Sequence, residues 1–126
     1  MVFLEHVNVT VRDAEATAQV LCGLFDWQVR WQGPVLDGAG VSVHVGSDTQ
    51  YLALFSPKAL AGEAPDSYAT LHGLNHIGLV VDDLSEAEAR VKAAGYVPHK
   101  HADYAPGRRF YFDGPDGVEY ELVSYG

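Results

Sequence analysis

The feature that most constrains this chain is that it repeats itself. The segment His6-Val7-Asn8-Val9-Thr10-Val11-Arg12-Asp13 returns as His76-Ile77-Gly78-Leu79-Val80-Val81-Asp82-Asp83, at a constant offset of 70 residues. A fixed period of this kind means one supersecondary unit used more than once. Both copies carry the two-residue period of a half-buried strand. His6, Asn8 and Thr10 share one face against Val7, Val9 and Val11. His76, Gly78 and Val80 likewise oppose Ile77, Leu79 and Val81. The β-branched faces are expected to pack on a helix.

That helix follows in each half. Asp13 can cap a run to Leu24 whose apolar positions Val20, Leu21 and Leu24 recur at helical spacing. In the second half Asp83 or Ser85 can cap Glu86 to Ala94, with Gly95 placed for a left-handed terminus. Three strands are predicted after each helix: Trp27–Trp31, Val41–Val45 and Gln50–Phe55, then Tyr96–His99, Arg109–Phe112 and Val118–Ser124. The organisation is βαβββ twice. Residues 1–126 read as a single domain, with module one at about 4–57, a Gly-, Ala- and Pro-rich linker at about 58–73, and module two at about 74–126.

At 126 residues such a domain buries roughly two-thirds of its unfolded surface and needs no disulfide to fold. Cys22 is the sole cysteine, which reads as an apolar filler and fits a reducing, cytoplasmic setting. No stretch reaches the length of a membrane-spanning helix, and the N-terminus lacks the pattern of a signal peptide. The net charge is −9, with 17 acids against 8 bases and no basic stripe. Nucleic acid and anionic membrane are therefore not expected as partners.

The chemistry-bearing residues follow from the repeat. A lone inward histidine is usually a satisfied core imidazole. Here His6 and His76 hold the same register of two related strands, and modules packed about an approximate two-fold would face them across a shared cup. In the last strand Glu121 sits between Tyr120 and Leu122, where a lone carboxylate would be costly to bury but a cation would stabilise it. Glu119 on the same face reads as a solvated acid. Two imidazoles and a carboxylate suit Fe(II), Mn, Zn, Ni or Co with open coordination positions, the pattern also found in non-haem iron oxygenases.

In these segments the sequence resembles the vicinal oxygen chelate superfamily, which includes glyoxalase I, extradiol dioxygenases, fosfomycin-resistance enzymes, methylmalonyl-CoA epimerase and bleomycin-binding proteins. The resemblance spans roughly residues 4–124. It is carried by Leu4-Glu5-His6-Val7-Asn8-Val9, by Leu74-Asn75-His76-Ile77-Gly78-Leu79, and by Phe110-Tyr111-Phe112-Asp113-Gly114-Pro115-Asp116-Gly117-Val118-Glu119-Tyr120-Glu121-Leu122. It implies an α+β fold: two βαβββ modules forming a cup-shaped mixed or antiparallel sheet with helices outside. By the same resemblance His6, His76 and Glu121 are the ligands of one divalent metal ion. Many relatives carry a fourth ligand in the last strand of module one, where this chain has Ala53. That departure weighs against glyoxalase I and epimerase mechanisms and leaves the three-ligand dioxygenases and fosfomycin-type transferases.

Tyr111 matches a tyrosine of three-ligand relatives whose hydroxyl reaches a metal-bound substrate oxygen; its other reading is an aromatic core filler. Extradiol enzymes also use second-shell histidines, and none stands shortly before Tyr111, although His99 and His101 lie on the approach. His44, comparable in position to Tyr111, can act as a base or line the cup. Asn8 and Thr10 continue the face of His6 and can hydrogen-bond a substrate. Arg108 and Arg109 can fork onto a carboxylate or phosphonate, or do nothing specific. The expected function is Lewis-acid chemistry on a small substrate with adjacent oxygens, with Tyr111 bonding the developing anion and His44 or a hydroxide on the ion moving the proton. The competing reading is a metal-free binder of the bleomycin-resistance type, whose groove Trp27, Trp31, Tyr51, Tyr68 and Tyr104 could line; a structural member without catalysis ranks last. Relatives of this length are commonly homodimers, often with modules exchanged between chains.

Overall fold

The computed structural model describes residues 1–63, 65–104 and 107–126. They form two compact units, Met1–Ala61 and Gly62–Gly126. In the first, β1 (His6–Thr10) leads into α1 (Ala14–Phe25), then β2 (Gln28–Val35), β3 (Gly40–Gly46) and β4 (Tyr51–Pro57). In the second, β5 (Ile77–Val80) precedes α2 (Leu84–Ala93), β6 (His99–Tyr104), β7 (Gly107–Asp113) and β8 (Glu119–Ser124). The sheets are ordered β1-β4-β3-β2 and β5-β8-β7-β6, so each module repeats the same mixed topology. β1 pairs parallel with β4 and β5 with β8; the remaining pairs are antiparallel. The α+β reading with two βαβββ modules is thus correct. No helix among the described residues is long and apolar enough to cross a membrane.

Local chemistry sets the elements. Asp13 accepts from the Ala16 N–H at 3.0 Å and Asp83 from the Glu86 N–H at 3.0 Å, so the second helix starts at Asp83 and not at Ser85. Alternation then separates the faces. Val43, Val45, Leu52 and Leu54 pack with Leu21 and Leu24 of α1, while Phe110, Phe112, Tyr120 and Leu122 are buried with Val91 of α2. The opposite face of each sheet carries the polar residues discussed below.

The predicted strand Tyr96–His99 is a correction. The strand begins at His99, because Gly95 takes φ +94° and the N–H groups of Gly95 and Tyr96 cap α2 by bonding the carbonyls of Lys92 and Val91. A residue closing a helix cannot also enter a ladder. Both second strands also carry a bulge, between Val29 and Trp31 in β2 and between His99 and Ala102 in β6. Each extra residue breaks strict alternation and re-aims its neighbours. Arg30 consequently lies over the Tyr51 ring, and Lys100, with φ +54°, lies over the rings of Tyr68 and Tyr111.

Candidate functional site

In the second unit the ladder sets Gly78, Glu121, Tyr111 and His99 side by side across β5, β8, β7 and β6. Gly78 gives the carboxylate headroom: a Cβ there would sit 3.4 Å from Glu121 Oε1. His76, immediately before β5, points Nε2 at the same oxygen from 3.3 Å. Its Nδ1 lies 2.7 Å from Asn75 Oδ1, and its ring meets Tyr111 edge-on. The other carboxylate oxygen, Oε2, accepts from Arg109 Nη1 at 2.9 Å and from the Tyr111 hydroxyl at 3.0 Å. Glu121 is only 9% exposed, so these partners replace the water it has lost.

Two ionisations follow. Burial, then the adjacent Glu121 carboxylate, pushes the Tyr111 phenol up, so it is a proton donor at neutral pH. Burial works against the Arg109 charge, but Glu121 outweighs it and holds the guanidinium protonated. Arg109 lies within β7 rather than in a loop, and its Nε and Nη2 are bonded to the Gly107 carbonyl. Arg108, one residue earlier, points away from this face and lines a crevice of about 270 Å³ beside Glu88 and His101. His101 bonds Glu88 there at 2.8 Å.

The donor set suits a divalent ion. Zn–N and Zn–O bonds of about 2.1 Å let donors 3.3 Å apart reach one centre. A carboxylate whose second oxygen is already held presents the first in a fixed direction.

The first unit repeats the register with different chemistry. Asn8, Ala53, His44 and Trp31 form the equivalent row, so Ala53 stands where the second unit has Glu121. Tyr51 stacks between His6, at 4.8 Å, and His44, at 4.6 Å; Trp31 extends the series at 5.2 Å from His44. Glu5 bonds His6 Nδ1 at 2.8 Å. Burial, then the charges of His6 and Arg30, lowers the His44 pKa, leaving a neutral imidazole able to accept a proton at neutral pH. Asn8 and Thr10 are exposed on this same face. Trp27 packs instead against Phe25 at the end of α1, away from the Trp31 series.

Sequence reasoning missed one cluster. His99, Asp113 and Glu119 bring ligand-type atoms within 4.8 Å of one another. Glu119 is not a solvated acid: it is buried, with Lys100 Nζ 2.9 Å from Oε2 and the Tyr68 hydroxyl donating to Oε1. A lysine already neutralises it, which makes this an ion network in preference to a metal centre. Burial opposes ionisation of Glu119, but the bonds from Tyr68 and Lys100 win and hold its pKa low. A carboxyl depressed on folding contributes stability above its ordinary pKa of about 4.3, lost as pH falls through the lower native value. Glu119→Gln is therefore expected to lose less stability than wild type between neutral pH and pH about 3 in urea titrations. Equal losses in the two proteins would contradict the network.

The family model for the Glyoxalase/Bleomycin resistance protein/Dioxygenase superfamily matches residues 3–122. No curated protein matches the chain. Among solved structures, it is similar to a glyoxylase/bleomycin resistance protein/dioxygenase domain from Frankia sp. EAN1pec, with 20% identity and TM-score 0.83 over 98% of both chains. It is similar to TnmS3, an antibiotic binding protein from Streptomyces sp. CB03234, with 19% identity and TM-score 0.78, over 98% of this chain and 96% of that one. A mutant of the genomically encoded fosfomycin resistance protein FosX from Listeria monocytogenes, complexed with Mn(II) and 1S,2S-dihydroxypropylphosphonic acid, aligns at 19% identity and TM-score 0.73, over 100% of this chain and 94% of that one. At such identities the likeness shows the fold alone.

Proposed function

This chain belongs to the Glyoxalase/Bleomycin resistance protein/Dioxygenase superfamily, and from that premise we propose that it is a divalent-metal-dependent enzyme acting on a small substrate with adjacent oxygens. The metal ligands in this reading are His6, His76 and Glu121, with His6 supplied by the same chain or by a second copy in a homodimer. The observation that carries it is the division of Glu121: Arg109 and Tyr111 hold Oε2 while Oε1 faces His76 Nε2. The FosX relative crystallised with Mn(II) and a dihydroxy phosphonate is consistent with such a use of the fold.

A divalent ion at these residues supplies Lewis acidity, stabilising negative charge on a substrate oxygen by several kcal/mol. The chain's own groups do the rest. Tyr111 turns its proton from Glu121 to the substrate oxygen that gains charge. His44, held neutral, takes the proton the substrate gives up. Asn8 and Thr10 hydrogen-bond the substrate, and Arg109 complements its charge where it is anionic. Dioxygenase, lyase or isomerase, and fosfomycin-type transferase chemistries share this requirement.

The series Trp31, His44, Tyr51 and His6 favours one second reading, a metal-free protein that sequesters a planar aromatic molecule by stacking. Metal analysis separates the two. Protein purified without chelator is expected to carry close to one divalent ion per site, lost in His76→Ala. Substoichiometric metal that does not respond to His76→Ala would defeat the enzyme reading.

A further inference from the structure

We infer that Glu5 and Asn75 are positioning residues that fix His6 and His76 in the tautomer protonated at Nδ1, so that each ring presents a bare Nε2 to a metal ion. The inference rests on the metal-site reading above but uses only groups within each unit. Adjacent residues of a strand point to opposite faces, so the neighbour of an inward histidine ordinarily cannot touch it. Glu5 precedes the first residue of β1, and Asn75 stands two residues before β5. Neither is a paired residue of its strand, although the Glu5 carbonyl still accepts from the Tyr51 N–H at 3.1 Å, and both side chains fold back onto the ring that follows. The contacts are 2.8 Å from His6 Nδ1 to Glu5 Oε1 and 2.7 Å from His76 Nδ1 to Asn75 Oδ1. The device therefore recurs at the repeat offset although the residue type does not.

The direction of the proton follows from the acceptor. A carboxylate, the form an exposed glutamate takes at neutral pH, can only accept, and Glu5 Oε1 lies 2.8 Å from His6 Nδ1. His6 Nδ1 must then carry the hydrogen, and the neutral ring keeps its lone pair on Nε2. In the second unit the ring is turned so that Nε2 faces Glu121 Oε1. With the proton on Nδ1, two lone-pair atoms confront each other there, an arrangement that calls for a cation between them. A partner on Nδ1 also fixes ring orientation and raises ligand basicity, and loss of such partners typically weakens metal binding about 10–100-fold. Glu5, being charged, is expected to contribute the larger part.

Tautomers can be read in the metal-free protein by nitrogen–proton NMR correlation, at a pH well above the ordinary imidazole value of about 6.5. Both rings are expected in the Nδ1–H form. Asn75→Leu should shift His76 alone towards Nε2–H and Glu5→Leu should shift His6 alone. Each should weaken Mn(II) binding in calorimetry about 10–100-fold, with Asn75→Asp restoring it. Nε2–H rings in the wild type, or tautomers that ignore both substitutions, would overturn the inference. If a leucine variant fails to fold, Asn75→Ala and Glu5→Ala, which also remove the acceptor, carry the same comparison. Nδ1–H rings in a protein that binds no divalent ion would uphold the positioning and sink the metal reading, so the two failures are distinct.

Discussion

Glu121→Gln is expected to abolish the stabilisation that a divalent ion confers on this protein. An ion bound only by the native state adds RT ln(1 + [L]/Kd), about 2.7 kcal/mol at one hundred times Kd. For a domain of this size that is a rise in Tm of about 10 °C. Glutamine preserves shape and leaves a carbonyl oxygen for Arg109 and Tyr111, so the fold is retained. It removes the negative charge that makes Oε1, 3.3 Å from His76 Nε2, a strong donor to a hard cation. The expected record is therefore a Mn(II)-dependent Tm in the wild type and a flat one in the variant, with turnover lost in parallel. A variant that still gains about 10 °C would place the ion elsewhere.

Phe110→Ala is expected to cost about 3–5 kcal/mol, the range for emptying a large aromatic site in a packed core. Phe110 is fully buried on the helix-side face of β7, its ring stacked with His101 at 5.9 Å, and the same face carries Phe112, which stacks on Tyr120 at 5.3 Å. Its face is opposite to that of Arg109 and Tyr111, so the void also loosens the strand that holds both partners of Glu121. Against a typical total of 5–15 kcal/mol, the loss lowers Tm by roughly 10–20 °C. Urea unfolding followed by far-ultraviolet circular dichroism measures it directly. A cost below about 1 kcal/mol would mean that the helix-side layer does not carry the second unit.

What the sequence discloses is what local periodicity controls. The alternation from His6 to Val11 and from His76 to Val81, the aspartate caps and the left-handed Gly95 all depend on near neighbours, and each is where the spacing places it. The repeat also aligns Ala53 with Glu121, and the ladders pair both in the same way with the flanking strands. What it hides depends on pairing between distant segments. Nothing near Glu119 reveals that the β6 bulge turns Lys100 onto it, or that Tyr68 arrives from 51 residues away. The Arg109 side chain reads as a surface cation until the β7–β8 register sets it beside Glu121. The strand expected at Tyr96 fails because helix closure claims that backbone first, a competition that periodicity alone cannot rank.

In the proposed enzyme a cation belongs between His76 Nε2 and Glu121 Oε1, which lie 3.3 Å apart. Anomalous scattering at the manganese edge, from crystals grown with Mn(II), tests it most directly. One peak is expected, bonded to both atoms and to a His6 Nε2 from the same chain or a second copy. A peak at His99, Asp113 and Glu119 instead, or no peak with Arg109 and His76 alone closed on Glu121, would contradict it.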